Sequence, residues 1–239
     1  MAEGQHYLTF PVCLLSNGIT DIRTVTDNIM NYCAYNRACK ECGTIEQRMT
    51  QAGHYFNLTW GDWKSSYDKG KLLFDQTPAR SPVTSINKDI VFDFYANSKT
   101  EFEIICFLAF AGIRSILQTK PYVKITNEYL LARMAGRNTI KDVNRYHKFP
   151  KEFEKYIIKG IPNRYQMDKI KTELQNHWGL KIYARFTRGF YVSFEGKMKF
   201  EDLVFEVEKR RKSNIEKLRK TEQQQAVNKA LNKIFKTTP

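Results

Sequence analysis

Residues 163–194, NRYQMDKIKTELQNHWGLKIYARFTRGFYVSF, switch hydrophobic period from about 3.6 to 2 without a break. Met167, Ile170, Leu174 and Trp178 recur at three- and four-residue spacing, so Asn163–Trp178 predicts a helix with one buried stripe, and Gly179 supplies its left-handed stop. Directly after it, Leu180, Ile182, Ala184 and Phe186 alternate with Lys181, Tyr183 and Arg185. A three-residue turn ending at Gly189 then leads into FYVSF, which predicts a hairpin with an arginine, Arg188, at its tip.

Upstream the pattern is mainly helical. His6–Leu15 reads as an extended segment closed by Ser16-Asn17-Gly18. Ile22, Val25, Ile29, Tyr32 and Cys33 predict one amphipathic helix, and Ile45, Met49, Ala52 and Phe56 a second over Thr44–Phe56. Trp60, Trp63 and Tyr67 predict a third, opened by Gly61-Asp62, and the prolines of Thr77–Pro82 mark a loop. Lys99–Gln118 is apolar on most sides and reads as a central core helix joining two halves. Pro121–Thr126 then predicts a short strand ending in an N-cap threonine, and Asn127–Gly136 a short helix with Tyr129, Leu130 and Met134 inward.

Charge divides the chain. Residues 1–120 carry 12 Lys and Arg against 12 Asp and Glu, whereas residues 121–239 carry 27 against 13, which is the whole surplus of 14. A one-sided surplus points to a polyanionic partner, and duplex DNA releases condensed counterions whenever Lys or Arg neutralises a phosphate.

The order helix, strand, short helix, second helix, hairpin over roughly Phe102–Phe194 resembles the winged-helix variant of the helix-turn-helix. The resemblance implies that Asn163–Trp178 is a recognition helix for the major groove and that the hairpin lies along the backbone or minor groove. Arg164, Tyr165, Gln166, Lys169, Thr172 and Gln175, off the buried stripe or at the helix start, then reach bases or phosphates. On the hairpin, Lys181, Tyr183, Arg185 and Arg188 supply phosphate-backbone contacts. One departure is the stretch of about 26 residues between Gly136 and Asn163, longer than the usual turn. It holds either an inserted helix, Phe149–Ile158, or the recognition helix itself at Thr139–Lys148, and the uninterrupted passage from Asn163 into the hairpin favours the first.

The expected fold is thus mainly α with a small β-hairpin: a helical packing or interaction region at 1–98, a winged-helix domain at 99–199 and a basic helical arm at 200–239. Phe200–Lys236 reads as one long helix or two, with dense positive charge at Lys209, Arg210, Arg211 and Lys212. Its apolar seam fails at Glu222–Gln225, so a sustained coiled coil is not expected; the arm packs on the body, or it contacts phosphates or a second subunit of a homodimer.

Cys39 and Cys42, with Cys33 upstream and His54 downstream, form a weak metal candidate at a spacing that fits no standard finger. Asp89 and Asp93, with Asp75, are the weak carboxylate set of a metal-dependent nuclease. Phosphate-binding glycine loops, nucleophile elbows and zinc-protease motifs are all missing, so neither an enzyme nor a cofactor is expected. No small-molecule ligand is legible. No apolar run reaches the roughly 18 residues of a membrane span, and MAEGQHYLTF lacks the pattern of a secretory signal. With five cysteines in no regular framework, a cytoplasmic protein is expected. Its expected function is double-stranded DNA binding, as a transcriptional regulator or a replication or mobile-element accessory protein. The competing class is a protein-interaction module whose basic arm meets an acidic partner.

Overall fold

The computed structural model describes residues 6–56, 61–138, 149, 151–159, 161–184 and 189–236, with the side chains of Glu152 and residues 230–236 left aside. It opens with strand β1 (Tyr7–Pro11), a 3-10 turn (Val12–Leu15) and helices α1 (Ile22–Ala38), α2 (Ile45–Phe56) and α3 (Trp63–Gln76). Strand β2 (Val83–Asn87) returns antiparallel to β1, with Leu8 opposite Ile86, and runs into helix α4 (Lys88–Ala96). This sheet is an addition to the expected helical region. Its four alternating residues Val83, Thr84, Ser85 and Ile86 bury Thr84 and Ile86, and the Thr84 hydroxyl donates to Ala111 O at 3.0 Å.

Local capping chemistry sets the helix ends. Asp21, Asp62, Asn87, Thr126 and Asn163 each accept a backbone N–H in the first turn of the helix that follows. Helix α5 (Glu101–Leu117) starts with a full capping box, in which Thr100 accepts from Glu103 N while the Glu103 carboxylate accepts from Thr100 N. Thirteen of its 17 residues are buried, so α5 is the central helix that its all-round apolarity implies.

After α5 come strand β3 (Val123–Ile125) and helix α6 (Asn127–Met134). Leu130 and Met134 face the core as expected, but Tyr129 is half-buried because its hydroxyl accepts from Arg133 Nη2 at 2.7 Å at the edge of the helix. Thr139–Lys148 lies outside the described residues. The expected helix at Phe149–Ile158 is instead a 3-10 turn (Lys151–Tyr156) running into strand β4 (Ile157–Ile158), which pairs with β5 (Ile161–Pro162). Spacing explains the difference: Phe153 and Tyr156 are both buried three residues apart, the repeat of a 3-10 helix, and β-branched residues follow.

Helix α7 (Arg164–His177) and strands β6 (Leu180–Tyr183) and β7 (Phe190–Phe194) fall where the change of period places them. Met167, Ile170 and Leu174 are fully buried, and Trp178 packs on Phe110 at a ring separation of 5.0 Å. The hairpin register differs from expectation. A turn of Thr187–Gly189 alone would set Tyr183 opposite Ser193, whereas Tyr183 stands opposite Tyr191. A shift of two residues keeps every side chain on its face, so the inward set survives it. On its other edge β7 pairs with β3 at Val123↔Val192, and the Ser193 hydroxyl donates to Pro121 O at 2.6 Å. Gly189 accordingly serves this junction, with φ +112° and no room for a Cβ, which would lie 2.3 Å from Ile125 O. Ala184, expected inward, is exposed because β6 ends at Tyr183; Phe186 lies outside the described residues.

The three-stranded sheet therefore runs β3-β7-β6. Helix α8 (Phe200–Lys236) is a single helix of about 55 Å. One core cluster extends from Leu8 and Phe10 through α5 to Ile170, Phe190 and Val192, so apolar packing is continuous across residues 98 and 99. A small satellite of Ala34, Ala38, Met49 and Ala52 joins α1 to α2. Among the described residues no helix is long and apolar enough to cross a membrane.

Helices α1 and α3 meet at Gly70, where an added Cβ would lie 2.4 Å from Asn31 O and 2.6 Å from Tyr35 Cβ. Alanine improves a free helix by about 1 kcal/mol, but here it pushes against the backbone of a buried neighbour, at a cost of about 1–3 kcal/mol. Gly70→Ala is therefore expected to lower the urea midpoint; a raised midpoint would show that the helices separate freely.

Candidate nucleic-acid interface

Burial of Met167, Ile170, Lys171 and Leu174 turns the opposite face of α7 to solvent. At its start the Arg164 side chain is 93% exposed and stands 3.6 Å from Asp168. Tyr165 is 64% exposed, with the Lys169 ammonium 4.5 Å from its ring centroid. Thr172 is exposed and its hydroxyl donates to Asp168 O at 3.0 Å, while Gln166 is half-buried. Tyr165, Lys169, Thr172 and Asn176 follow the i, i+4, i+7, i+11 spacing of one outward stripe. Gln175, on its flank, donates to Ile182 O at 3.4 Å and so ties α7 to β6.

Two charged groups on this helix were not separable by pattern alone. Lys171 is buried against the Phe190 ring, and its ammonium reaches Asp168 at 2.7 Å. Asp168 thus sits between Lys171 and Arg164, and Glu173, the other carboxylate of α7, stands 2.9 Å from His177 Nδ1. The position of Asp168 three residues before Lys171 was the available signal.

The hairpin is engaged differently. Lys181 is 3.9 Å from Glu195, and the Tyr183 hydroxyl donates to Glu208 on α8 at 2.7 Å. Tyr183 also meets the Phe200 ring edge-on, so the first turns of α8 cover the outer face of the sheet. Lys181 and Tyr183, two of the four hairpin residues expected to touch a phosphate backbone, therefore have partners within the chain. Arg185 and Arg188 lie outside the described residues.

On α8, Leu203 and Val207 are buried, and every described side chain from Lys209 to Lys229 is exposed. Packing and projection therefore coexist in one helix. At the point of departure Arg210 lies 4.9 Å from the Tyr122 ring centroid, and Arg211 bonds Glu208 at 3.2 Å. Lys209 and Lys212 are exposed beside them.

The candidate metal and nuclease residues do not gather. The Cys33 thiol is buried and donates to Thr9 O at 3.3 Å; burial also pushes its pKa up. Cys39 and Cys42 are exposed beyond α1, and His54 is on the exposed side of α2. Lys99 and the Asn97 amide hold the Asp93 carboxyl below the usual carboxylate range, while Asp89 lies in the first turn of the same helix, its N–H donating to the Asn87 cap, and Asp75 belongs to α3. Among the described residues no three His, Cys, Asp or Glu side chains meet as a metal site.

Comparison of the chain with protein-family models, curated proteins and solved structures found no match.

Proposed function

We propose that the chain binds double-stranded DNA, with residues 99–199 acting as a winged helix and α7 as the helix laid in the major groove. One observation carries the reading. Elements α5, β3, α6, α7, β6 and β7 follow in that order, and β3 pairs with β7 to give a β3-β7-β6 sheet behind a helix with a solvent-facing polar stripe. With the 3-10 turn and the β4–β5 pair taken as an insertion between α6 and α7, that order and pairing support a winged-helix reading in which the recognition helix precedes the hairpin. Arg164 and Lys169 suit guanine edges, Gln166 suits adenine and Thr172 suits either. The arm from Lys209 onward adds phosphate contacts, and the chain serves as a transcriptional regulator or as an accessory protein of replication or of a mobile element. The five free thiols suit a reducing compartment, and the cytoplasm is the location we assign.

Titration of random-sequence duplex across a salt series tests the reading. Affinity is expected to fall steeply with salt. Lys169→Ala is expected to cost about 1–3 kcal/mol and to relax base preference in a site selection. Absence of binding at low salt would overturn the reading and direct attention to an acidic protein partner.

A further inference from the structure

Strands β4 and β5 make a ribbon of two residue pairs, Ile157↔Pro162 and Ile158↔Ile161. Alternation sorts their side chains to two faces, and directly opposed residues share one. The inner pair is held: Ile157 packs on the main core and β5 lies against α6. Asn163 N–H closes the base of the ribbon by donating to Tyr156 O at 2.7 Å, and Tyr156 is buried with its hydroxyl 3.4 Å from Glu101. The outer pair stands in water side by side, Ile158 57% and Ile161 64% exposed.

An anchored turn that presents two branched aliphatic side chains to solvent gains nothing for the fold from doing so. The segment itself is basic in sequence, with Arg164 standing 3.6 Å from Asp168. Residues 155–165 contain Lys155, Lys159 and Arg164 and no carboxylate, the nearest in the chain being Glu154 and Asp168. Lys155 is paired with Glu101 at 3.0 Å, while Lys159 at the turn, with φ +49°, is exposed. Three residues beyond Ile161 the outward face of α7 begins at Arg164 and Tyr165.

We propose that Ile158 and Ile161 form a wedge that enters the duplex at a base step and kinks it, beside the groove occupied by α7. This rests on the DNA-binding reading above. Apolar wedges flanked by cations unstack a step at a cost of a few kcal/mol, which is offset by the greater protein surface that the bent duplex meets. Two side chains fall far short of the roughly 800 Å² per partner of a stable protein interface, but they match the size of a single opened step.

The test uses the full chain and a duplex of about 30 base pairs containing flexible TpA steps, dye-labelled at both ends and carrying 2-aminopurine beside a step. Wild type is expected to raise both energy transfer and 2-aminopurine emission. Ile158→Ala with Ile161→Ala is expected to bind about tenfold more weakly, keep the salt slope because no phosphate contact is lost, and lose both signals. Leucine at both positions is expected to restore them. Wild type that binds without bending, or an alanine variant that bends the duplex equally, would overturn the wedge alone. Wild type without any affinity in the salt series would overturn the DNA reading and the wedge with it.

Discussion

Replacing Lys209, Arg210, Arg211 and Lys212 together with glutamine is expected to reduce the slope of log affinity against log salt by about 3 to 4 units. Each phosphate neutralised on B-DNA contributes about 0.9 to that slope, so the value counts how many of the four meet phosphate. The four lie where α8 leaves the sheet, and all are exposed. Arg211 also pairs with Glu208, which accepts from Tyr183, and Arg210 covers Tyr122, so the cluster is fastened to the sheet at its root. Glutamine keeps an unbranched polar stem and a similar helix propensity, which limits the change largely to lost charge. An unchanged slope with full affinity would leave the arm as a solvated helix and confine DNA contact to α7. Loss of helicity in the circular dichroism of the variant would instead assign the charges a structural part.

Features written into a few adjacent residues were legible in the chain. The caps at Thr100, Thr126 and Asn163 and the stripes of α1 and α7 need only three- or four-residue spacing, and α5 declares itself by a continuous apolar run. The change from helix to hairpin near Gly179 is as local. What escaped depends on partners far along the chain. Strand β2 is a strand because β1, 76 residues earlier at the Thr9 and Ser85 hydroxyl pair, lies beside it. The register of β6 and β7 shows only in their pairing, with Tyr183 opposite Tyr191. Tyr183 reads as a surface group until α8 arrives over it with Glu208. The outward stripe of α7 was readable residue by residue, but the exposure of Ile158 and Ile161 was not, since apolar residues ahead of a helix read as core until the pairing assigns them to the outer face. Lys171 illustrates the converse, a charge carried inside by a long stem lying over Phe190.

Phe107→Ala is expected to cost about 3–5 kcal/mol, a large part of the 5–15 kcal/mol typical of a folded domain. Phe107 is fully buried on α5 and stacks on Phe94 of α4 at 4.6 Å, while the same helix carries Ala111 against β2 and Phe110 against Trp178. Removing the ring opens a cavity that the neighbouring backbones, fixed by the β1–β2 and β3–β7 pairings, can only partly fill. Because one core cluster joins both halves, the loss is expected to reach each of them. Two reporters separate the cases: Trp63 on α3 senses the amino-terminal half, and Trp178 senses the sheet and α7. In single-tryptophan versions, both urea transitions are expected to shift to lower denaturant together, with coincident midpoints, as an all-or-none unit requires. A shift seen by Trp63 alone would show that residues up to 98 unfold separately from the remainder despite their shared core. In that case α5, although it lies beyond residue 98, would belong energetically to the amino-terminal half.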